Sequence, residues 1–327
     1  MIKLLLIVHK FFYGHNNLYH YKMYNKVKWI ICNIISLTCC YLVCVFLKIR
    51  RVLQGVPKPK GIVNDEIIIS FTSYPARIKT LWMVVDSLFH QRMLPYKIIL
   101  YLSEEDFPNK EDDLPPSLLS YCNNIFYIKW VQGNLMPHKK YFYAFQEYKE
   151  KCIVTVDDDN YYRDDLVETL WNTHLKFPGS VCANTITTIV SNDRKINCYE
   201  KWYHNKRTYN TSSYNKLAIG ASGILYPPGY YRIAASSNKD AILKTCLRAD
   251  DLWLKCQELL HEIPVANGNF YSPALTIYGS QKTSLISYNS SDDSHGNNEQ
   301  WANLNKHFGI NVILLQLLIN EEREGLR

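Results

Sequence analysis

The chain lacks both glycine-rich phosphate cradles that a sequence can reveal directly: no GxxxxGK(S/T) loop and no GxGxxG turn occur. A nucleotide bound here is therefore not held by a P-loop or a Rossmann turn. The ten cysteines contain no CxxC pair and no zinc-finger spacing, and no RNA-binding signature accompanies the net charge of +7. Nucleic acid is not an expected partner. Acidic residues are absent until Asp65. A basic segment beside an apolar stretch points to a membrane surface. No small-residue cleavage site follows that stretch, which argues against a cleavable signal peptide.

At 327 residues there is room for one large domain or two small ones. The apolar stretch runs from Trp29 to Leu47, 19 residues without a formal charge. Lys26 and Lys28 flank one end; Lys48, Arg50 and Arg51 flank the other. As a helix it reaches about 28 Å, close to the thickness of a bilayer's hydrocarbon core. Asn33, Ser36 and Thr38 weaken its apolar character. A spanning helix, an in-plane helix and a buried soluble helix all stay open, and basic residues at both ends leave orientation undecided. Cys32, Cys39, Cys40 and Cys44 lie in this stretch and behave as small hydrophobes. Reduced thiols in a cytosolic setting are expected. Residues 52–65, with Gly55, Pro57, Pro59 and Gly61, read as a linker. The expected organisation is a basic N-terminal segment over 1–60, a catalytic body over 61–305 and a helical tail over 306–327.

From Glu66 onward strand-like and helix-like segments alternate, which predicts an α/β fold with a mainly parallel sheet flanked by helices. Strands are expected at Ile67–Phe71, Lys97–Leu102, Ile125–Trp130, Cys152–Val156 and Val181–Ile186. Helices are expected at Leu81–Gln91 (with Pro95 as the break), Tyr141–Tyr148 and Asp164–His174. Ligands of such sheets bind beyond the carboxyl ends of the strands. Asp157, Asp158 and Asp159 follow directly on the buried Cys152–Val156 run. Three carboxylates there are costly unless a cation neutralises them. Oxygen ligands suit Mg²⁺ or Mn²⁺, which commonly take substrate phosphates as further ligands. An acidic turn before a helix start is the plainer alternative.

Thr72, Ser73, Tyr74 and Arg77 follow the first strand at the same end of the sheet. They suit a nucleotide's base, ribose or phosphate, or form a plain turn. Lys139 and Lys140 stand near a helix start, against its dipole, where a bound anion or solvent relieves them. Residues 190–216 are aromatic and polar, including Trp202, and suit sugar stacking, a lid or a surface loop. The small residues Gly220, Ala221, Ser222 and Gly223 allow either close approach of a ligand or tight strand packing. Asp250 and Asp251 open a helix, as ordinary caps or as a general base for a sugar hydroxyl.

These motifs, in the order Ser70 to Arg77, Lys139-Lys140, Val156 to Asp159, Gly220 to Gly223 with Tyr226-Pro227-Pro228, and Ala249 to Trp253, resemble bacterial glycosyltransferases of the GT-A fold. The likeness is to the family-2-like enzymes of capsular and lipopolysaccharide synthesis and covers residues 65–305. It implies a metal-dependent, inverting hexosyl transfer from a nucleoside-diphosphate sugar to a glycan or lipid-linked acceptor. The enzyme would be membrane-associated, with its catalytic domain in the cytoplasm. Asp157 and Asp159 take the DXD positions, with Asp159 as the direct ligand of Mn²⁺ or Mg²⁺ and His295 as a loosely matched further ligand. Thr72, Ser73, Tyr74, Arg77, Lys139, Lys140, Asp157 and Asp158 fall on the donor side. Gly220, Ser222, Gly223 and Trp202 fall on the acceptor side. Asp251 matches the base, with Asp250 orienting or substituting for it. A sugar-phosphate nucleotidyltransferase and a non-catalytic carbohydrate- or nucleotide-binding protein are the competing classes. The first would carry a basic Gly-rich loop after the first strand, which Thr72-Ser73-Tyr74-Pro75 is not.

Overall fold

The computed structural model describes residues 2, 4–5, 7–8, 23–203, 209–230, 239–269, 274–280 and 296–325. A long helix α1 (Met23–Gln54) precedes the sheet strands β1 (Ile62–Thr72), β2 (Met93–Ser103), β3 (Phe126–Val131) and β4 (Cys152–Thr155). Helices α2 (Trp82–Phe89), α3 (Pro116–Leu119) and α4 (Lys139–Glu147) lie between them. Beyond β4 come β5 (Asn160–Tyr161), α5 (Leu166–Lys176), β6 (Val181–Ala183), β7 (Ile186–Thr188), β8 (Ser191–Asn192), β9 (Lys195–Ile196), β10 (Thr211–Ser213), β11 (Lys216–Ala218) and β12 (Ile224–Tyr226). The chain closes with α6 (Lys239–Thr245), α7 (Asp250–Leu260), β13 (Val265–Asn267), β14 (Leu275–Thr276), α8 (Asn297–Phe308) and α9 (Ile310–Glu324).

Eight strands form one sheet in the order β10-β13-β6-β12-β4-β1-β2-β3. The expected α/β architecture is present, and the sheet is mixed. The run β4-β1-β2-β3 is parallel, as is β6 beside β13; β12 runs against both β4 and β6, and β10 against β13. The central strands read as β-branched runs because both faces are covered. One apolar cluster holds Ile67, Ile69, Phe71 and Val154 with α2 and α5; the other holds Ile68, Ile99 and Ile153 with α4, α7 and α9.

Three local expectations are corrected. Pro95 does not end a helix; α2 stops at Phe89 and Pro95 lies near the start of β2, opposite Asn64 where the β1–β2 register shifts. A proline is tolerated at such an irregularity because no ladder donor is needed. The residues Ile62–Asp65, read as linker, belong to β1. The strand expected over 181–186 divides into β6 and β7 at Asn184, whose backbone N–H turns to the Gly223 carbonyl while its side chain donates to Ser222 O. Ile310, Leu314, Leu317 and Leu318 of α9 are buried in the second cluster.

Helix α1 is packed onto this body. Cys40, Val43, Cys44 and Leu47 enter the first core cluster. Arg50 donates to the carboxylate of Asp86 on α2, which is 1% exposed and also accepts from the Tyr121 hydroxyl. Arg51 lies over the Trp82 ring and donates to Ser120 Oγ. Removing one partner of a buried pair leaves an uncompensated charge. Arg50→Ala is therefore expected to lower unfolding stability by about 3 kcal/mol in a denaturant titration of the full chain. An unchanged midpoint would show that α1 is not docked in solution.

Candidate active site

β1 is flanked by β2 on one side and β4 on the other, so the chain reverses its direction of sheet growth between β1 and β4. Such a switch point opens a crevice beyond the carboxyl ends of the two strands. The parallel register, Ser70 opposite Thr155, brings the Thr72–Arg77 loop beside the aspartate triplet. A cleft of about 1580 Å³ opens there. It exceeds the roughly 300–1,000 Å³ of a single small-molecule pocket, so two substrates can be accommodated.

The cations demanded by the triplet come from the chain itself. Arg77 Nη1 is 2.5 Å from Asp158 Oδ1 and its Nη2 is 3.1 Å from Asp159 Oδ2. Ser73 Oγ donates to Asp158 Oδ2 at 2.6 Å. Burial opposes the Arg77 charge, but the Asp158 and Asp159 carboxylates more than restore it, and its pKa stands above the ordinary value. Burial also raises Asp158 despite its partners. The short geometry favours the ionised pair, because charge-assisted bonds to both carboxylates hold the guanidinium.

Lys140 does the same for the second acidic group. Its Nζ donates to Asp157 Oδ1 at 2.8 Å and lies 2.7 Å from Asp250 Oδ2, an ion pair outside hydrogen-bond angles. Burial would strip this charge, yet Asp157, Asp250 and Asp251 hold it well above the ordinary lysine value. Its stabilising contribution is thus complete at neutral pH and is lost only as pH rises beyond the ordinary lysine range. Lys139, one residue earlier, points elsewhere: its Nζ donates to Asn134 Oδ1 and Asp106 Oδ2, and burial lowers its pKa.

Asp250 and Asp251 begin α7, but neither caps it by a side-chain bond. Asp251 Oδ2 accepts from the Gly220 backbone N–H at 3.2 Å. Asp251 Oδ1 is buried and finds no hydrogen-bond donor among the described residues. An orphaned buried acceptor costs about 1–3 kcal/mol, so this oxygen is poised for a donor from a ligand. Burial, and next the Asp250 charge, raise the Asp251 pKa well above the usual carboxylate range.

Of the other expected residues, Thr72, Tyr74, Ser222 and Trp202 line the cleft. Thr72 Oγ1 bonds Tyr101 O, and the Trp202 indole N–H bonds Asn197 O. Gly220 sits against Lys140, Asp157 and Asp251, whereas a Cβ on Gly223 would meet Leu166 at 2.8 Å, away from these acids. Gly223 also holds φ of 86°, a conformation that favours glycine. His295 lies outside the described residues. Arg248, Asn297, Tyr278 and, from α1, Ser36, Leu37 and Cys40 line the cleft without having been anticipated. Arg248 was discoverable, standing two residues before Asp250; the α1 and Tyr278 contributions depend on tertiary packing alone.

Among the described residues no three His, Cys, Asp or Glu side chains are grouped to hold an ion by themselves. A Mg²⁺ or Mn²⁺ site of one or two carboxylates completed by substrate phosphates needs no such group. Asp157 and Asp159 both line the cleft, and the Asp157 side chain is the most open of the acids paired there, 30% exposed. The donor set fits.

No family model matches the chain, and no curated protein matches it. Solved structures share the general architecture at low similarity. The 4-diphosphocytidyl-2C-methyl-D-erythritol synthase of Anaerococcus prevotii is 13% identical with a TM-score of 0.37, over 68% of this chain and 95% of that one. Another structure of a 4-diphosphocytidyl-2C-methyl-D-erythritol synthase is 10% identical with a TM-score of 0.41, over 69% and 97%. A UDP-glucose pyrophosphorylase complexed with UDP-glucose is 9% identical with a TM-score of 0.37, over 76% and 99%. Likeness of this degree carries no argument about activity.

Gly220 gives a sharp check of the site. A Cβ there would stand 3.0 Å from Lys140 Nζ and 3.3 Å from oxygens of Asp157 and Asp251, all ends of side chains. Gly220→Ala is expected to keep the fold within about 1 kcal/mol. Turnover should fall about 10²-fold as the charged groups shift. Measured thermal stability and turnover that fall together would make Gly220 a packing residue only.

Proposed function

We propose that this protein is a metal-dependent glycosyltransferase of the inverting type, moving a sugar from a nucleoside diphosphate to a hydroxyl of a glycan or lipid-linked acceptor. The observation that carries the reading is the meeting of two acidic motifs, Asp157–Asp159 and Asp250-Asp251, across Lys140 in one cleft. The first suits a metal–diphosphate; the second, with an unpartnered oxygen on Asp251, suits proton abstraction.

In this reading Asp157 and Asp159 hold Mg²⁺ or Mn²⁺. The ion, when bound, stabilises the negative charge that develops on the leaving diphosphate. Ser73 and Arg77 fix Asp158 and Asp159 at the donor end. The Gly220 N–H orients the Asp251 carboxylate. Asp251 Oδ1 takes the proton of the acceptor hydroxyl as that oxygen attacks the anomeric carbon, and configuration inverts. Lys140 sits between the two motifs and offsets the repulsion between their carboxylates. A sugar-phosphate nucleotidyltransferase, a competing class already on the sequence, is the second reading, and the test below separates the two.

The test uses the full chain with a panel of nucleoside-diphosphate sugars, and in parallel nucleoside triphosphates with sugar phosphates, each with Mn²⁺, Mg²⁺ or EDTA. Release of one nucleoside diphosphate from its sugar is expected, lost with EDTA and in Asp159→Ala. Asp251→Asn should keep donor binding and lose about 10²–10⁴-fold in transfer. Pyrophosphate release from a triphosphate would replace this reading with the nucleotidyltransferase.

The pH profile gives an independent check. A base must be ionised, so kcat/KM rises with pH through the Asp251 pKa, and its acid limb should lie above the ordinary value of about 3.9. The Asp250 charge contributes to that elevation. Asp250→Asn removes the like charge and should move the limb to lower pH. A limb that stays in place would assign the base elsewhere.

A further inference from the structure

Helix α1 is apolar on both sides, and only one side is covered. At 100° per residue Ile30, Ile34, Leu37 and Tyr41 fall within about 60° of each other. These four and the neighbouring Ile31 and Leu42 are exposed, while Cys40, Val43, Cys44 and Leu47 on the other side are in the core. The helix is long and apolar enough to cross a bilayer, its most apolar 18 residues having a mean hydropathy of 2.5. Spanning would carry the Arg50–Asp86 pair and the packed body toward hydrocarbon, which the desolvation of those charges opposes. Lying in the interface plane satisfies both sides at once. Charge agrees: ten Lys and Arg and no acid precede Asp65, as an anionic lipid surface requires.

The exposed side is continuous with the cleft. Leu37 lines the cleft, as does Tyr278, whose ring meets Tyr41 edge-on at 5.4 Å between centroids. Tyr278 follows β14, which pairs with β5 directly after the aspartate triplet, and Ile277 N–H donates to Asp159 O at 2.8 Å. An apolar path therefore leads from the polar floor of the cleft onto the outer face of α1.

We propose that the cleft takes an amphiphilic acceptor, a hydroxyl-bearing head group on a long apolar chain, whose chain leaves over Leu37, Tyr41 and Tyr278 onto the membrane-facing side of α1. This deepens the glycosyltransferase reading and rests on it for the identity of the head group as acceptor. The apolar exit is a property of the fold and is tested without turnover.

The full chain is floated with vesicles of phosphatidylcholine plus phosphatidylglycerol, and labelled with a hexadecyl glucoside carrying a diazirine in its alkyl chain. Co-flotation is expected, weakened about tenfold or more in Ile34→Glu/Leu42→Glu. Label should map to Leu37, Tyr41 and Tyr278, and be displaced by unlabelled hexadecyl glucoside but not by glucose. A chain that stays with the soluble fraction, label scattered over other surfaces, or a dimer that the double substitution dissociates would each overturn the proposal. Donor hydrolysis is read on the same preparation: its absence with the label in place sinks the catalytic reading and leaves the lipid exit standing.

Discussion

The ammonium group of Lys140 is the interaction on which the cleft depends. Asp157 arrives from the end of β4 and Asp250 from the start of α7, and both meet this one cation. Without it, carboxylates from two distant parts of the chain would repel one another in a partly desolvated space. Its position is not free to drift. The Ser70 hydroxyl of β1 donates to the Lys140 carbonyl, so the central strand sets where the first turn of α4 begins. Arg77 plays the equivalent part for Asp158 and Asp159, and the loop that carries it continues the same strand. One strand thus delivers or positions both neutralising charges.

Some of this was legible in the residues. The run Cys152–Val156 followed by three acids announced a buried strand ending at a charged site, since such acids demand a cation. Part of that demand is met from within the chain. The expected external ion is preceded by Arg77 and Lys140, because strand pairing, which no local pattern encodes, places the two loops together. The difference between Lys139 and Lys140 was equally hidden. Adjacent helical residues point about 100° apart, so one meets Asp106 and Asn134 while the other meets the acids. The docked side of α1 gave no signal either. Apolar side chains stand on its exposed side, at Ile34, Leu37 and Leu42, as well as on the side that enters the core.

The attachment of α1 changes how the chain divides. A linker does separate it from β1, yet the helix supplies part of the first core, a buried ion pair and a wall of the cleft. Cys40, Val43, Cys44 and Leu47 of the helix pack in the same core cluster as the strands β1 and β4. Through Tyr41, Tyr278 and the β14–β5 pairing, its outer face is connected to the backbone of the aspartate triplet.

Charge also ranks the readings of the site. Among the described residues, seven carboxylates (Asp106, Asp157, Asp158, Asp159, Glu200, Asp250 and Asp251) and four cations (Arg77, Lys139, Lys140 and Arg248) line the cleft. Even with Asp251 protonated, acids outnumber cations among the described residues of the cleft. An anionic diphosphate entering alone would be repelled, and burial would strengthen that repulsion. A divalent ion entering with it reverses the sign of the interaction, which is the physical case for metal dependence. A nucleoside triphosphate brings more negative charge than a nucleotide sugar and finds the same cleft less favourable. A neutral hydroxyl is not repelled at all, and it can donate to the one buried Asp251 oxygen that has no partner among the described residues. On the proposed reading, donor and ion would sit at the triplet and the acceptor hydroxyl at the start of α7.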